Sequence, residues 1–238
     1  MPELTVAELA ATIDHAILRP EGTRTEVDAE LAVAVEWGVF SVCVRPADVA
    51  HAVVRVAGTG VAVGTVIGFP HGATTTDAKV AEARRAVADG AVELDMVVNI
   101  GALRSGFDDV VADDIRAVVD AAEGRVVKVI LETSFLDAEQ IARGCRLAER
   151  AGADFVKTST GFGGGGATTA DVRLMRASVG PGVRVKASGG VRGLATALEM
   201  LDAGATRLGT SASATILGEL QDIRSGAAAS GAADPSSY

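Results

Sequence analysis

Short apolar runs alternate with amphipathic stretches along almost the whole chain. Between the runs, apolar residues recur at the three- and four-residue spacing of a helix that buries one face. The stretch 104–122 shows this spacing in Phe107, Val110, Val111, Ile115, Val118, Val119 and Ala122. A short helix is predicted at about residues 5–11. The predicted strands lie at residues 12–16, 39–44, 61–67, 92–97, 126–131, 153–157, 183–186 and 206–209.

The junctions from helix to strand carry a repeated signal. Predicted helices end in glycine directly before the next strand, and glycine accepts the left-handed backbone that closes many helices. Eight strands separated by helices predict a parallel sheet in an α/β protein. Eight such units within 238 residues favour a closed (β/α)8 TIM barrel. The glycines at these junctions are Gly38, Gly90, Gly152 and Gly204.

An open doubly wound sheet is the alternative to the barrel. It is disfavoured because no GxGxxG string that directly follows a predicted strand and opens a helix is present to bind a dinucleotide. The glycine run at 163–166 also lacks the Lys-Ser/Thr ending of a P-loop. The barrel therefore remains the predicted fold.

The predicted domain organisation is one barrel domain over residues 1–224 and a tail over residues 225–238. Alanine, glycine and serine dominate the tail, which predicts a mobile segment, and it ends on Tyr238, the single tyrosine of the chain. The acidic N-terminus lacks the basic start of a signal peptide, and no apolar stretch of about 18 residues is present. These features predict a cytoplasmic protein without membrane contact.

The charge balance limits the classes of partner. A net charge of -9 argues against nucleic acid, because binding to a phosphate backbone requires a basic face. Local phosphate binding stays open, since glycine turns and helix N-termini bind anions through N–H groups. Cys43, Cys145, His51 and His71 show no metal-ligand spacing, so we expect neither a metal nor an organic cofactor. Cys43 is predicted to be a small core residue.

Lysine is scarce, because it supplies only Lys79, Lys128, Lys157 and Lys186 among 22 basic residues. Lys79 has the position of an ordinary exposed helix residue, whereas the other three lie in or at the ends of predicted strands. Lysine, unlike arginine, can lose its proton inside a protein, and a free amine can attack a carbonyl. Lys157 is therefore predicted to form a Schiff base. A structural ion pair is the alternative for this residue.

Strand alternation predicts where the charged side chains point. Glu93 and Asp95 share one face of their strand, and Lys128 and Lys186 lie on the corresponding faces of theirs. The other face must be apolar because it meets the helices, so the charges are expected to point into the barrel. Buried charges persist when they are paired, which predicts a network in the lumen.

Two lysines on neighbouring strands should change each other's ionisation. Like charge and burial both lower the pKa of an ammonium, which favours a free amine at Lys157. Lys186 would then be its charge partner or a proton relay, and Asp95 a general acid/base. A salt bridge from Asp95 to Lys128 or Lys186 is the alternative, and it is compatible with catalysis. The glycine turns at 188–191 and 209–211 follow the last two strands and are expected to bind phosphate.

Ordered blocks of these residues resemble the deoxyribose-phosphate aldolases, a family of class I aldolases, over about residues 13–238. The blocks are Ile13-Asp14-His15, Val42-Cys43-Val44, Val66-Ile67-Gly68-Phe69-Pro70, Glu93-Leu94-Asp95-Met96-Val97-Val98-Asn99-Ile100-Gly101, Lys128-Val129-Ile130-Leu131-Glu132-Thr133, Phe155-Val156-Lys157-Thr158-Ser159-Thr160-Gly161-Phe162, Lys186-Ala187-Ser188-Gly189-Gly190-Val191-Arg192 and Gly209-Thr210-Ser211.

The resemblance implies a lyase, an aldehyde-lyase with a TIM-barrel fold and no cofactor. Such an enzyme interconverts 2-deoxy-D-ribose 5-phosphate with D-glyceraldehyde 3-phosphate and acetaldehyde in deoxyribose phosphate catabolism, a route of carbohydrate degradation. Its partners would be small phosphosugars and aldehydes. A homodimer is one assembly compatible with the sequence, which leaves the oligomeric state open.

The resemblance also assigns roles to residues. Lys157 would be the Schiff-base lysine, Asp95 and Lys186 the proton donor/acceptor pair, and Tyr238 a group that helps to protonate the enamine. The residues implied in phosphate binding are Gly161, Gly189, Gly190, Gly209 and Ser211.

Four positions depart from the family pattern. Ala16 replaces a threonine, Arg19 a lysine and Arg45 an asparagine, and Phe162 stands where some members have a phosphate-contacting lysine. None belongs to the implied catalytic set, so these departures concern substrate affinity. Two alternatives stay open: a Schiff-base aldolase for a different phosphosugar, and a non-catalytic barrel that binds phosphosugars.

Overall fold

Eight parallel strands close into a barrel in the computed structural model, which describes residues 4–226. The strands neighbour one another in chain order, and the first pairs with both the second and the eighth. The predicted (β/α)8 fold is confirmed. The strands are β1 Ile13–Ile17, β2 Ser41–Val44, β3 Ala62–Ile67, β4 Glu93–Val97, β5 Val126–Ile130, β6 Phe155–Lys157, β7 Arg184–Ser188 and β8 Arg207–Thr210.

Helices surround the barrel, and a short one precedes the first strand as predicted. Within residues 4–226, none of them combines the length and the apolar character that a bilayer crossing requires. The helices are α1 Val6–Ala10, α2 Arg24–Trp37, α3 Val49–Arg55, α4 Thr76–Ala88, α5 Ile100–Arg104, α6 Asp108–Ala121, α7 Ala138–Arg150, α8 Thr169–Ala177, α9 Leu194–Asp202 and α10 Ser213–Ser225.

Local sequence signals explain where several helices begin and end. Thr23 accepts a hydrogen bond from the Glu26 N–H, and the Glu26 carboxylate accepts one from the Thr23 N–H in return. This reciprocal cap satisfies two N–H groups that a helix start leaves free. The glycines predicted to close helices all have positive φ angles, between 61° and 109°. The last helix ends at Ser225, and the predicted tail beyond Gly226, including Tyr238, lies outside the described residues.

The apolar core lies between the barrel and its helices, whereas the lumen is charged. Outward strand residues such as Leu94, Val129 and Leu208 are fully buried against the helices. Each contributes roughly 1.5–3 kcal/mol through burial. The alternation predicted from the sequence is therefore confirmed. The buried charged residues of the lumen are Asp14, Glu93, Asp95, Lys128, Lys157, Lys186 and Arg207.

Aromatic rings and guanidinium groups stack on one another at the amino ends of the strands. The guanidinium carbon of Arg184, the first residue of β7, lies 4.0 Å from the ring centroid of Phe155. That of Arg207, the first residue of β8, lies 3.6 Å from the ring centroid of Phe40. Stacking of this kind keeps the cations in place while it covers part of the rings.

The helix predicted over 104–122 begins only at Asp108. Gly106, with φ 76°, interrupts the helical backbone between Arg104, the last residue of α5, and α6. Phe107 and Val110 were expected on the buried face, but they are 60% and 56% exposed. Phe107 precedes the helix instead of lying on it, and Val110 lies on the exposed face of α6. Val111 and Ile115 in α6 are buried as predicted.

Lys79 corrects a second expectation, because it is fully buried instead of exposed. Its ammonium donates to Asp114 Oδ2 at 2.5 Å and to the Val97 carbonyl at 3.0 Å. Asp114 also accepts from the Thr76 hydroxyl at 2.8 Å. The lysine stem passes Gly68, where a Cβ atom would lie 2.9 Å from Lys79 Cε. The ion pair thus joins α4, α6 and the end of β4.

We expect Lys79→Met to lower the free energy of unfolding by roughly 3–5 kcal/mol, because it leaves Asp114 as a buried charge without its partner. The double variant K79M/D114L should recover most of that loss. Urea denaturation followed by circular dichroism measures both. The control is R116M, which removes an exposed pair on α6 with Asp113 at 3.1 Å and should change stability by less than about 1 kcal/mol. A K79M effect no larger than this control would contradict the assignment.

Candidate active site

Two lysines lie side by side at the carboxyl ends of neighbouring strands. Lys157 ends β6, and the register pairs it with Lys186 of β7. Both side chains are buried in the lumen. Residues at paired positions of adjacent strands point to the same face of a sheet. The structure therefore brings together the two amines that strand positions had singled out.

Asp95 on β4 contacts both amines from across the lumen. Its Oδ2 accepts hydrogen bonds from Lys157 Nζ at 2.7 Å and from Lys186 Nζ at 2.8 Å. Its Oδ1 accepts from Lys128 Nζ at 2.8 Å. The predicted salt bridges from Asp95 to Lys128 and Lys186 are both confirmed. A single carboxylate thus holds three lysine side chains.

Two further carboxylates and an arginine complete the network. Lys186 Nζ donates to Asp14 Oδ2 at 2.5 Å, and Arg207 Nη1 donates to Asp14 Oδ1 at 2.6 Å. Glu93 accepts from Lys128 Nζ at 2.7 Å and lies 3.2 Å from Arg207 Nη1. Sequence reasoning missed Arg207. The alternation rule applied to β8 would have found it, because Arg207 shares a face with Gly209.

The charges of this network do not cancel when every group is ionised. Four cations, on three lysines and Arg207, meet the carboxylates of Asp14, Glu93 and Asp95. Burial lowers the pKa of Lys157, and the positive charge of Lys186 lowers it further against the pull of Asp95. Lys157 is therefore the amine that loses its proton most readily.

Lys186 differs from Lys157 because it has two anionic partners. Burial alone would lower the pKa of Lys186, but the charges of Asp14 and Asp95 outweigh burial and raise it. Burial alone would raise the pKa of Asp95, but the three surrounding ammonium groups hold it well below its usual range. The arrangement therefore combines an ionised carboxylate, an ammonium of raised pKa and one amine of lowered pKa.

Cys43 lies on β2 and, like Lys157 and Lys186, lines a cleft at the carboxyl end of the barrel. Burial raises the pKa of its thiol to about 11, so the thiolate needed for nucleophilic attack is not formed at neutral pH. The side chain packs against Leu18 and Val66. The prediction of a small core residue is confirmed.

A cleft opens above the two lysines at the carboxyl end of the barrel. Three of its glycines have φ angles of 77–87°, which other residues rarely adopt. Among residues 4–226, the N–H groups of Gly161, Gly189 and Gly190 make no hydrogen bond to a protein acceptor. α10 begins just beyond, without a side-chain cap. The cleft contains every residue predicted to bind phosphate, namely Gly161, Gly189, Gly190, Gly209 and Ser211, together with Arg192, which sequence reasoning had not singled out.

Hydroxyl groups tie the ends of β6 and β7 together. Thr158 Oγ1 donates to the Ser188 carbonyl and accepts from the Ser188 N–H, both at 3.0 Å. Ser188 Oγ donates to the Ser159 carbonyl at 2.6 Å. These contacts fix the spacing of Lys157 and Lys186. The sequence shows a row of hydroxyl residues after Lys157, but it does not indicate which groups they contact.

Metal ligation is not favoured by this arrangement. In the part of the chain that the structure describes, no group of three or more His, Cys, Asp or Glu side chains is arranged to hold a metal ion. The carboxylates in the lumen are instead occupied by lysine and arginine cations. The chemistry available here is that of an amine and its proton-transfer partners.

A sequence model of the DeoC/LacD family aldolases matches residues 9–229, which is nearly the whole chain. The chain is a DeoC/LacD family aldolase. As an aldolase it is a lyase, and its buried amine is the group that an aldolase of the Schiff-base class requires.

Named relatives of this aldolase cover most of its length. It is 53% identical over 211 residues to the deoxyribose-phosphate aldolase of Streptococcus pneumoniae serotype 19F, covering 88% of this chain and 96% of the relative. It is 54% identical over 211 residues to that of Enterococcus faecalis, with the same coverage. The deoxyribose phosphate aldolase of Aeropyrum pernix, whose structure is described as tetrameric, superposes with a TM-score of 0.86 at 32% identity, covering 92% of this chain and 93% of that one.

The acid limb of the pH–rate profile should move in opposite directions in two variants. A nucleophilic lysine reacts as a free amine, so with Lys157 as the nucleophile we expect activity to rise as the pH passes upward through its lowered pKa. Lys186→Met removes a repelling cation and should move the limb to higher pH. Asp95→Asn removes an attracting anion and should move it to lower pH. Both should cut the maximal rate by about 10²-fold or more. The measurement is kcat/KM against pH, and limbs that moved in the same direction would be inconsistent with this charge coupling.

Proposed function

We propose that this chain is a class I aldolase that cleaves 2-deoxy-D-ribose 5-phosphate reversibly into D-glyceraldehyde 3-phosphate and acetaldehyde, in deoxyribose phosphate catabolism. The observation that carries the proposal is Lys157, a buried amine of lowered pKa between Asp95 and Lys186 at the base of the cleft. Glycine turns along the same cleft offer N–H groups to a phosphate.

The reaction begins when the Lys157 amine adds to the C1 aldehyde and water leaves, forming a protonated Schiff base. This iminium draws electrons towards nitrogen. A base removes the proton of the C3 hydroxyl, the C2–C3 bond breaks, and C3 becomes the aldehyde of glyceraldehyde 3-phosphate. The bonding electrons remain as an enamine on Lys157. Protonation at C2 and hydrolysis by water release acetaldehyde and restore the amine.

The proton transfers are assigned to Asp95 and Lys186. Asp95 is the acceptor, because the surrounding ammonium groups keep its carboxylate ionised. Lys186 is the donor, because its carboxylate partners keep it protonated. Lys157 and Lys186 both donate to Oδ2 of Asp95, so a proton has only short distances to move among the three groups. Lys128 orients Asp95 through its other oxygen.

The phosphate is assigned to the turns above β6, β7 and β8. The N–H groups of Gly161, Gly189 and Gly190 line the cleft beside Gly209 and Ser211. The start of α10 adds the partial positive charge of a helix N-terminus. Binding at this end places the aldehyde carbon of the substrate towards Lys157. The phosphate thus orients the substrate for attack.

Two other functions differ in what they require of these residues. A non-catalytic phosphosugar-binding barrel has no use for an amine of lowered pKa next to an ammonium of raised pKa. A Schiff-base aldolase for a different phosphosugar uses the same lysine and the same turns. A kcat/KM that is higher for a longer phosphosugar than for deoxyribose 5-phosphate would favour this second aldolase over our proposal.

Tyr238 is assigned a role in protonating the enamine, although it lies outside the described residues. α10 runs from the cleft to the lower end of the barrel, where Arg224 donates to the Leu4 carbonyl at 3.3 Å. A helix of this length spans about 20 Å. Residues 227–238 can extend to about 40 Å, so Tyr238 has enough chain to return to the cleft.

Assembly and location complete the proposal. We assign the chain to a homodimer in the cytoplasm. Support for an assembly comes from Phe107 and Val110, which are exposed together at the start of α6. The Aeropyrum pernix relative is described as tetrameric, so self-association occurs in one related protein.

Replacement of the nucleophile should separate binding from turnover. We expect Lys157→Leu to reduce cleavage of deoxyribose 5-phosphate by at least about 10³-fold, because no other amine can form the intermediate. Its affinity for the phosphosugar, measured by calorimetry, should stay within about tenfold, because the phosphate turns are unchanged. In the wild type, borohydride with acetaldehyde should leave an ethyl group on Lys157 in peptide mass maps, and borohydride alone should not. An ethyl group on another lysine, or on none, would refute the mechanism.

Removal of the last residue tests the role of the tail. Deletion of Tyr238 should slow the exchange of acetaldehyde methyl protons with deuterated water, because that exchange reports enamine protonation. The melting temperature should not change. A Tyr238→Phe variant serves as the matched control, since it keeps the ring and loses the hydroxyl. A large fall in melting temperature with unchanged exchange would assign the tail a structural role instead.

A further inference from the structure

Glu132 has an unusual backbone at a buried position. It follows β5 with φ 58° and ψ 65°, the left-handed region, and its side chain is fully buried. Glu123 has a similar φ angle but lies in an exposed turn. For a residue with a Cβ atom this conformation costs roughly 1–2 kcal/mol and persists where surrounding contacts enforce it. The contacts around Glu132 are therefore the feature to explain.

The Glu132 carboxylate holds the loop that follows the Schiff-base lysine. Its Oε2 accepts from the Thr160 N–H at 3.1 Å and, through a short hydrogen bond, from the Thr160 hydroxyl. Thr160 Oγ1 in turn accepts from the Phe162 N–H at 3.0 Å. These bonds fix the residues on both sides of Gly161. The position of the Gly161 N–H group in the cleft thus depends on one carboxylate.

The glycines of this loop let it lie directly on its neighbours. A Cβ atom on Gly163 would lie 2.7 Å from Glu132 Cδ. One on Gly166 would lie 2.4 Å from the Gly189 carbonyl oxygen, which also accepts from the Ala167 N–H at 3.0 Å. The loop therefore rests on Glu132 at one end and on the second phosphate turn at the other.

We propose that Glu132 is a positioning residue for phosphate recognition: its carboxylate fixes the loop 160–166 so that the N–H groups of Gly161 and Gly189 converge on the phosphate. The inference rests on the proposed function, because it assigns Glu132 to the phosphate end of that cleft. Glu132 makes no side-chain hydrogen bond to Lys157 or Asp95 within the described residues. Its influence therefore falls on phosphate recognition and not on Schiff-base chemistry.

The variants separate the carboxylate from the backbone. Glu132→Gln keeps an oxygen that accepts both Thr160 donors, whereas Glu132→Ala removes it and leaves space beneath Gly163. Glu132→Gly also removes the carboxylate but relieves the left-handed backbone. Thr160→Val removes the hydroxyl donor, and Thr160→Ser restores it.

The test compares deoxyribose 5-phosphate with 2-deoxyribose, which lacks the phosphate. E132A should raise KM for the phosphorylated substrate by about 10- to 100-fold, the effect of losing hydrogen bonds to a charged group. The Ki of inorganic phosphate as an inhibitor should rise in parallel. Turnover of 2-deoxyribose should stay within about threefold of wild type. E132Q and T160S should stay close to wild type for both substrates.

Coupling between the two residues gives a second readout. T160V should shift KM in the same direction as E132A, and E132A/T160V should be no worse than E132A, because both remove the same contact. E132G should match E132A in KM while being more stable, which separates recognition from folding. If E132A does not fold, T160V and E132G carry the test.

Each remaining outcome counts against a specific claim. Equal losses with both substrates, or no loss with either, would overturn the assignment of Glu132. Reductive trapping of acetaldehyde on Lys157 should persist in E132A. If wild-type protein failed to trap acetaldehyde, the proposed function itself would fall, whereas intact trapping with an unchanged KM would remove Glu132 alone.

Discussion

The sharing of Asp95 among three ammonium groups is the interaction on which the site depends. Each buried charge costs several kcal/mol unless it is paired, so the lumen must distribute a limited number of carboxylates. Lys186 has two carboxylate partners and Lys128 has Asp95 and Glu93, but Lys157 has Asp95 alone. Lys157 and Lys186 both line the cleft, so access does not distinguish them. The smaller number of carboxylate partners leaves Lys157 with the lower pKa of the two, which is why we propose it as the nucleophile.

The barrel can hold the charged side chains in this arrangement because packing outside the lumen fixes the register of its strands. Apolar residues between the sheet and the helices hold the strands, and Thr158 and Ser188 bind the ends of β6 and β7 together. Only a few residues separate Lys157 from Gly161, so one segment carries both the proposed nucleophile and a proposed phosphate contact. Asp95 contacts the lysine, and Glu132 contacts Thr160 in the loop. The two functions are thus adjacent in the chain but held by separate carboxylates.

Much of the lumen was predictable because strand alternation is a local rule. It placed Glu93 and Asp95 on the inner face without knowledge of any partner. Lys79 escaped the same reasoning because Asp114, the partner that stabilises its buried ammonium, lies on another helix and becomes a neighbour only in the folded chain. Helical spacing likewise did not reveal the break at Gly106, and nothing local indicated the left-handed backbone of Glu132. Contacts between distant segments decide such features.

The stacked arginines and phenylalanines lie at the amino ends of the strands, opposite the cleft. Arg207 stacks over Phe40 and Arg184 over Phe155, whereas Lys157 and Lys186 line the cleft at the carboxyl ends. Molecules that reach the two amines through this cleft share one route in and out. We therefore expect a product retained there to act as a competitive inhibitor of the next substrate molecule.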